Sequence, residues 1–424
     1  MVEAIGKGAS RSRGGQPPHT QASLRLRNLW RVLDNIRAAG TTSRVRIADE
    51  TGLTATTVHR LTAELRRRRL IVRVGSSGNG LVGRPPSFFR FNGRIGHVVG
   101  IDVGNETTRA ALADLDRNVL AREDRPTALI EGDLLRAIEG LVADLQREAS
   151  VPPDALVAMG VGVAAVTELE GTIVRASMHH LWEGLQLGGQ LRRDLGCEVT
   201  VAQDDHLAAL AELEVGACVG LRDALVLNVG KGLGAGIIAD GVVHRGARGA
   251  AGRLAWIPVP EAARTDGDGG EDGGNDGGED RRGAGGIARP ALVPLAALLT
   301  ADGLIADYRR FGGTGDVVGA KDVFAADAAG DEAATRAVDT FAGRLGWLIG
   351  AAVAVVDPQR VVLGGGISGS FDRLAPLLHR GVDDIVPAPP PIVRSELGTD
   401  AVVTGAIASA TRLADAWLAA RLGA

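Results

Sequence analysis

Two groups of residues in this sequence have types and spacings suited to chemistry. The first is a run of polar side chains, Thr56, Thr57, His59 and Arg60, just behind a threonine, Thr54, able to cap a helix. Hydroxyl, imidazole and guanidinium groups at the start of a helix can reach base edges in a major groove, while Thr54 and the helix N-terminus hold a phosphate. Arg84, within Gly83-Arg84-Pro85-Pro86, projects from a rigid extended backbone and suits a narrow, electronegative A·T-rich minor groove. The second group is a set of glycine turns, each behind an apolar run: Asp102 with Gly104, then Gly230, Gly232 and Gly234, then Gly364, Gly365 and Gly366. Such turns let backbone N–H groups approach phosphates closely. Each turn alone is weak, since any tight strand turn favours glycine. No P-loop fits, because Lys231 is followed by Gly232 rather than Ser or Thr, and the dinucleotide-binding spacing fails as well.

The elements needed to position the first group are legible. Leu24 to Ala39 has apolar residues at Leu26, Leu29, Trp30, Leu33 and Ile36, one face of a helix. Arg44 to Thr51 predicts a short helix ending at Gly52, and Thr54 opens another whose inward residues are Val58, Leu61 and Leu65. Helix, glycine turn and second helix form a helix-turn-helix signature. Leu70 to Val74 and Ser87 to Phe91 read as strands flanking a wing, Gly75 to Pro86. Charge agrees with this reading. Residues 1–92 hold 17 Lys or Arg against 5 Asp or Glu, a net of +12, and the remainder has a net of −16. A basic module joined to an acidic domain points to a polyanionic partner, here duplex DNA. The expected organisation is a disordered arm at 1–20, a winged helix-turn-helix at 21–92 and a large domain at 97–424.

From His97 the text becomes strands punctuated by glycine with helices between, an α/β architecture. With 424 residues and only 3% aromatics, the core must be filled by Ala, Val, Leu and Ile. The longest apolar run, Leu345 to Val356, is 12 residues, short of the roughly 20 that span a membrane, and is expected as a buried helix. Residues 264–286, acidic and glycine-rich, are expected as a solvated loop. The first residues carry no apolar stretch, so a cytoplasmic location is expected. Cys197 and Cys218 cannot build a disulfide framework or, alone, a cysteine-rich zinc site.

Taken together, GIDVG at 100–104, Gln203-Asp204 followed by AALAE at 208–212, GKGLGAGI at 230–237 and VVLGGGIS at 361–368 resemble the ROK family (repressors, open reading frames and sugar kinases). The resemblance spans roughly 24–424. It implies an actin-like, two-lobed sugar-kinase fold behind the winged helix, and a sugar-responsive transcriptional regulator, a repressor, acting as a homodimer or homotetramer. Within that resemblance Asp204 matches the family's catalytic base, and Gln203, Asp204, Arg253 and Trp256 fall at the effector pocket. Several positions depart from the kinase pattern. Asn105-Glu106-Thr107 puts a carboxylate in the first phosphate loop, and Lys231 replaces a Thr in the second. Arg253 and Trp256 stand where the family's sugar-contacting Glu and His belong, Ala164-Ala165 replaces the usual Pro-Gly, and the zinc cysteines are missing. The expectation is therefore a degenerate, non-catalytic domain with no cofactor or metal, the alternative being an ATP-dependent, glucokinase-like sugar kinase carrying a DNA-binding arm. Asp204 can equally cap the helix that follows it. The partner implied is a sugar or acidic sugar effector; because Arg253 offers donors only, an acidic or phosphorylated sugar is expected there rather than a neutral hexose, unless Arg253 closes the pocket on Asp204 or Asp205. His179 and His180 are expected at the surface or pocket rim.

Overall fold

The computed structural model describes residues 21–75, 87–130, 132–176, 179–260 and 292–423. The arm 1–20, the loop 264–286 and the wing tip with Arg84 lie outside the described residues. The chain divides into two compact units. One comprises Met1–Ile95 with Ala416–Ala424, the other Gly96–Asp415. The large domain read from sequence as 97–424 thus gives up its last residues to the first unit.

In the first unit, α1 (Gln21–Ala39), β1 (Thr41–Ser43), α2 (Arg44–Thr51), α3 (Ala55–Arg67), β2 (Ile71–Val74) and β3 (Phe88–Phe91) follow one another. Gly52 stops α2 in the left-handed region at φ 64°, a conformation that favours glycine. Thr54 then caps α3, its Oγ1 accepting from the Thr57 amide at 3.3 Å. Leu29, Leu33, Ile36, Val58, Leu61 and Leu65 meet in the core, while Leu26 and Trp30 are only half-buried. The three strands form an antiparallel sheet in the order β1-β3-β2, and β1 is an element the sequence reading did not separate. The guanidinium of Arg44 lies 4.8 Å from the Phe89 ring and that of Arg37 5.3 Å from Phe91. Glu64 is buried on α3 between Arg25 (2.7 Å) and Arg68 (2.8 Å). Burial would raise its pKa, but the hydrogen bonds from the two arginines outweigh that and hold it below the usual value. Arg68 also donates to the carbonyl of Arg421 at 2.7 Å, fixing the C-terminal residues that belong to this unit.

The second unit contains two five-stranded sheets built on the same plan. In the first lobe β4 (His97–Val103), β5 (Thr107–Asp114) and β6 (Val119–Pro126) form an antiparallel meander, followed by α4 (Leu134–Glu148). Next, β7 (Leu156–Val163) adds parallel to β4. A small hairpin, β8 (Ala165–Thr167) and β9 (Ile173–Ala176), precedes α5 (Leu187–Leu195) and β10 (Glu198–Gln203), which is parallel to β7. After α6 (Asp204–Val215), the second lobe repeats the scheme with β11 (Ala224–Val229), β12 (Leu233–Ala239) and β13 (Val242–His244) antiparallel. It continues through the pair β14 (Pro258–Pro260) and β15 (Leu292–Pro294), α7 (Ala301–Arg310), α8 (Ala320–Ala328) and α9 (Glu332–Val356). The second sheet is completed by β16 (Val361–Gly364), parallel to β11, and, after α10 (Phe371–Asp383), by β17 (Ile392–Arg394); α11 (Ala401–Leu422) follows and packs on the first lobe. A meander continued by parallel strands in both lobes is the duplicated pattern of an actin-like fold.

Helix α9 is long and apolar enough to cross a membrane by composition, yet Ala337, Phe341, Leu345 and Ile349 on it are buried in the core of the second lobe. Small residues bring α11 against the first sheet. A Cβ on Gly160 would lie 2.2 Å from the Ala406 carbonyl oxygen, and one on Gly405 would lie 1.8 Å from that of Leu207. Both cysteines are buried, which pushes the thiols of Cys197 and Cys218 up to about 11 and about 12. Because backbone cannot yield as a flexible side chain would, Gly160→Ala should destabilise the chain by ~1–3 kcal/mol. Thermal unfolding checks this, and an unchanged melting temperature would contradict the close packing.

Candidate functional site

In the first unit, the helix expected to read DNA presents Thr56, His59 and Arg60 to solvent, with Thr57 half-buried. Thr54 is exposed, but its hydroxyl is engaged with Thr57, Oγ1 to Oγ1 at 2.9 Å. Arg66, Arg67 and Arg69 are exposed at the far end of α3. The opposite face carries Val58, Leu61 and Leu65 into the core, so the polar residues form the outer face of the helix.

In the second unit the three glycine turns converge. A Cβ on Gly230 would lie 3.2 Å from the Gly366 amide, and one on Gly232 would lie 3.9 Å from Asn105 Nδ2. Together they line a cavity of about 510 Å³. Of the residues expected from sequence, Asp102, Gly104, Asp204, Gly230, Gly232, Gly234, Arg253, Trp256, Gly365 and Gly366 all border it. Gly364 is the last residue of β16 and Gln203 the last of β10; Gln203 is wholly buried. The glycine at 365 sits at φ 78° with the Val229 backbone 2.4 Å from where a Cβ would stand.

Lys231 bridges the turns. Its Nζ lies 3.3 Å from Glu106 Oε1, on the first lobe's turn, and 3.6 Å from Asp302 Oδ1, on α7 of the second. The bond to Glu106 and the charge of Asp302 raise the Lys231 pKa above its ordinary value. Lys231 and Glu106, on turns of different lobes, are thus ion partners across the cavity.

Deeper in, a polar relay crosses between the lobes. Arg253 Nε donates to Gln203 Oε1 (3.0 Å), Gln203 Nε2 donates to Asp205 Oδ2 (2.9 Å), and Asn228 Nδ2, on β11, donates to Asp205 Oδ1 (3.0 Å). Gly252, at φ 80° with no space for a Cβ against the Ala235 carbonyl, fixes where Arg253 begins. Helix α6 starts at Asp204 with Gln203 as its cap residue, so Asp204 occupies the first turn, and its Oδ1 accepts from the Asp205 amide at 3.0 Å. Burial, with the neighbouring Asp205, holds the Asp204 carboxyl well above the usual range. Asp102 is buried 3.8 Å from Arg109, and burial raises it to about 7 against the pull of that arginine. Trp256 remains 42% exposed, with the guanidinium groups of Arg175 and Arg253 at 5.3 and 5.7 Å from its ring. His179 stacks on Trp182 at 4.2 Å and His180 pairs with Glu183 at 3.0 Å. Among the described residues no group of three or more His, Cys, Asp or Glu is placed to hold a metal ion.

Sequence reasoning missed Arg109, Arg175, Asn228 and Asp302. Asn228 had a signal, since it is the lone polar residue inside an otherwise apolar strand, whereas Arg109 shares its strand with Thr107, Thr108 and Asp114. Arg175 and Asp302 had none.

The ROK family profile matches residues 98–412, and an IclR helix-turn-helix domain profile matches residues 26–75. The chain belongs to the ROK family. A glucokinase of Halalkalibacterium halodurans is 29% identical over 290 residues, covering 65% of this chain and 82% of that protein. The DNA-binding transcriptional dual regulator NagC of Escherichia coli is 26% identical over 382 residues, covering 87% of this chain and 88% of NagC. Among solved structures, a ROK family transcriptional regulator described as a homolog of the E. coli MLC protein superposes with a TM-score of 0.72 at 21% identity, covering 94% of this chain and 99% of that one. This last likeness establishes the fold.

The Asp102 carboxyl gives the cavity a pH signature. Folded, it keeps its proton to about 7, whereas its ordinary value is 3.8. The native state therefore binds more protons than the unfolded one between these values, and the group's contribution to stability falls as pH rises through that window. Asp102→Asn should stabilise the fold more at pH 8 than at pH 5, the difference growing by at most about 1.4 kcal/mol per pH unit within the window, as read by denaturant unfolding at the two pH values. Equal effects at both pH values would contradict the assignment.

Proposed function

We propose that the chain is a DNA-binding transcriptional regulator, a repressor, whose two-lobed domain senses a sugar or sugar derivative without phosphorylating it. The observation that carries this reading is the exposed polar face of α3, with Thr56, His59 and Arg60 outward on a winged helix-turn-helix joined to a ROK domain. The match to NagC along most of both chains supports it. In this reading Thr56, Thr57, His59 and Arg60 address base edges, the Thr54 end of the helix meets a phosphate, and Arg84 enters the minor groove. Two copies of the chain read the halves of a pseudo-palindrome. The effector works by favouring one arrangement of the large domain over another.

The match to a glucokinase makes the kinase the rival reading. Against it stands the Lys231–Glu106 ion pair across the phosphate groove. A transferable phosphoryl group needs positive groups and metal around it, and a carboxylate in the same place repels it. Arg253 in place of a sugar-contacting carboxylate argues the same way. With ATP, magnesium and a panel of hexoses, no ADP release above the rate of buffer alone is expected, and sugar-dependent release would overturn the non-catalytic reading.

The regulatory reading is tested by selecting duplexes from a random pool with the full chain and measuring their affinity by anisotropy. Arg60→Ala should weaken the selected duplex by ~1–3 kcal/mol. Binding of all duplexes should fall steeply with salt. A chain that enriches no sequence, or binds independently of salt, would remove the DNA-binding assignment.

A further inference from the structure

The last residues of the chain, Ala416–Ala424, group with the winged helix-turn-helix and not with the two lobes. They lie outside both matched regions, since the ROK profile ends at residue 412 and the helix-turn-helix profile at residue 75. In this segment Leu418 and Leu422, one helical turn apart on α11, are both buried. A helix leaves the carbonyls of its last turn without an internal donor. On α11 the carbonyl of Arg421 is one of these, and Arg68 supplies the donor, its Nη1 at 2.7 Å. A cation there also faces the negative end of the helix dipole.

Arg68 is the cap residue that follows α3, and its amide bonds back to the carbonyls of Glu64 and Arg66. The other edge of its guanidinium is committed to α3 itself, with Nε and Nη2 donating to Glu64 Oε1 at 3.2 and 2.8 Å. Glu64 is buried, and its second oxygen accepts from Nε and Nη2 of Arg25, on α1, at 3.2 and 2.7 Å. Hydrogen bonds thus run from α1 through Glu64 to the C-terminal end of α3 and on to the end of α11. A planar fork can hold a carboxylate and a carbonyl at once, a geometry that an ammonium on a flexible stem does not reproduce.

We infer that the C-terminal residues Ala416–Gly423 take part in DNA reading by positioning α3, and that Arg68 is the positioning residue through which they do so. This rests on reading α3 as the helix that enters the major groove. Its first turns present Thr56, His59 and Arg60 to the bases, while the contact with α11 fixes its other end. Bidentate contacts to base edges depend on geometry, so they are lost when α3 is no longer held. Attraction to phosphates depends on charge and is kept.

The test measures anisotropy over a range of salt concentrations, with a duplex selected by the full chain and a duplex of unrelated sequence. Arg68→Met and a chain ending at Asp415 should each bind the selected duplex about ten-fold more weakly, the scale of one lost base contact. Affinity for the unrelated duplex and the salt dependence should not change, and Arg68→Lys should recover part of the loss. Arg68→Met made in the chain ending at Asp415 should add little, because both changes break one contact. Fully additive losses would show that the two act separately and overturn the inference. So would native affinity for the selected duplex in the shortened chain. A phosphate contact by Arg68 predicts equal losses on both duplexes and a salt slope smaller by about 0.9, and that result also overturns it. If the shortened chain does not fold, Arg68→Met and Arg68→Lys carry the test on the same readouts. Failure of the intact chain to bind any duplex is instead the failure of the regulatory reading. Hydrogen exchange then decides the positioning by itself: the α3 amides from Val58 to Leu65 should exchange about ten-fold faster in Arg68→Met, and unchanged exchange overturns it.

Discussion

Asp205 accepts hydrogen bonds from Gln203 at the end of one sheet and from Asn228 within the other, and it does so in a space that exists only because residue 234 is glycine. A Cβ there would lie 1.9 Å from Asp205 Oδ2. This one carboxylate ties the two lobes at the floor of the cleft, and most of the site is arranged around it. Helix α6 begins beside it, β12 passes close enough to need Gly234 and Gly236, and Arg253 is aimed by the amide that Asp205 orients. A buried charged acceptor is costly unless its oxygens are engaged. Here neutral donors on both sides do that, so the carboxylate imposes a geometry on each lobe rather than forming a simple ion pair.

The phosphate end of the cleft follows a different logic. Where the glycine turns meet, the chain places a lysine on one turn and a glutamate on the other, and α7 adds Asp302. All three are solvent-exposed, so the pairs contribute little to stability. They set both signs of charge side by side at one end of the cavity.

Local signals made much of this readable beforehand. The cap at Thr54, the stop at Gly52 and the strand–turn–strand pattern around Gly104 and Gly232 are set by neighbouring residues, and they fell where short-range physics puts them. The short strand Thr41–Ser43 was missed because it owes its existence to pairing with Phe88–Arg90, distant in sequence. The same cause hid the partners of the cavity residues. Arg253 is fifty positions from Gln203, and Asn228 is twenty-three from Asp205. Nothing in the stretch around Asp302 announces that it faces Lys231. The last residues of α11 were read with the large domain because the helical pattern is continuous, whereas the hydrogen bond from Arg68 to Arg421 assigns them to the first unit.

The two cysteines bear on how the molecule can be watched. Cys197 and Cys218 are both buried, with thiols pushed up to about 11 and about 12, so almost no thiolate exists at neutral pH. Alkylating dyes react with the thiolate, and these side chains present neither the charge nor the access that labelling requires. The native chain therefore offers a chemically silent background for maleimide reagents. A single cysteine introduced on each lobe's rim would carry the only reporters, and distances between them could be followed by resonance energy transfer without first stripping out the native thiols.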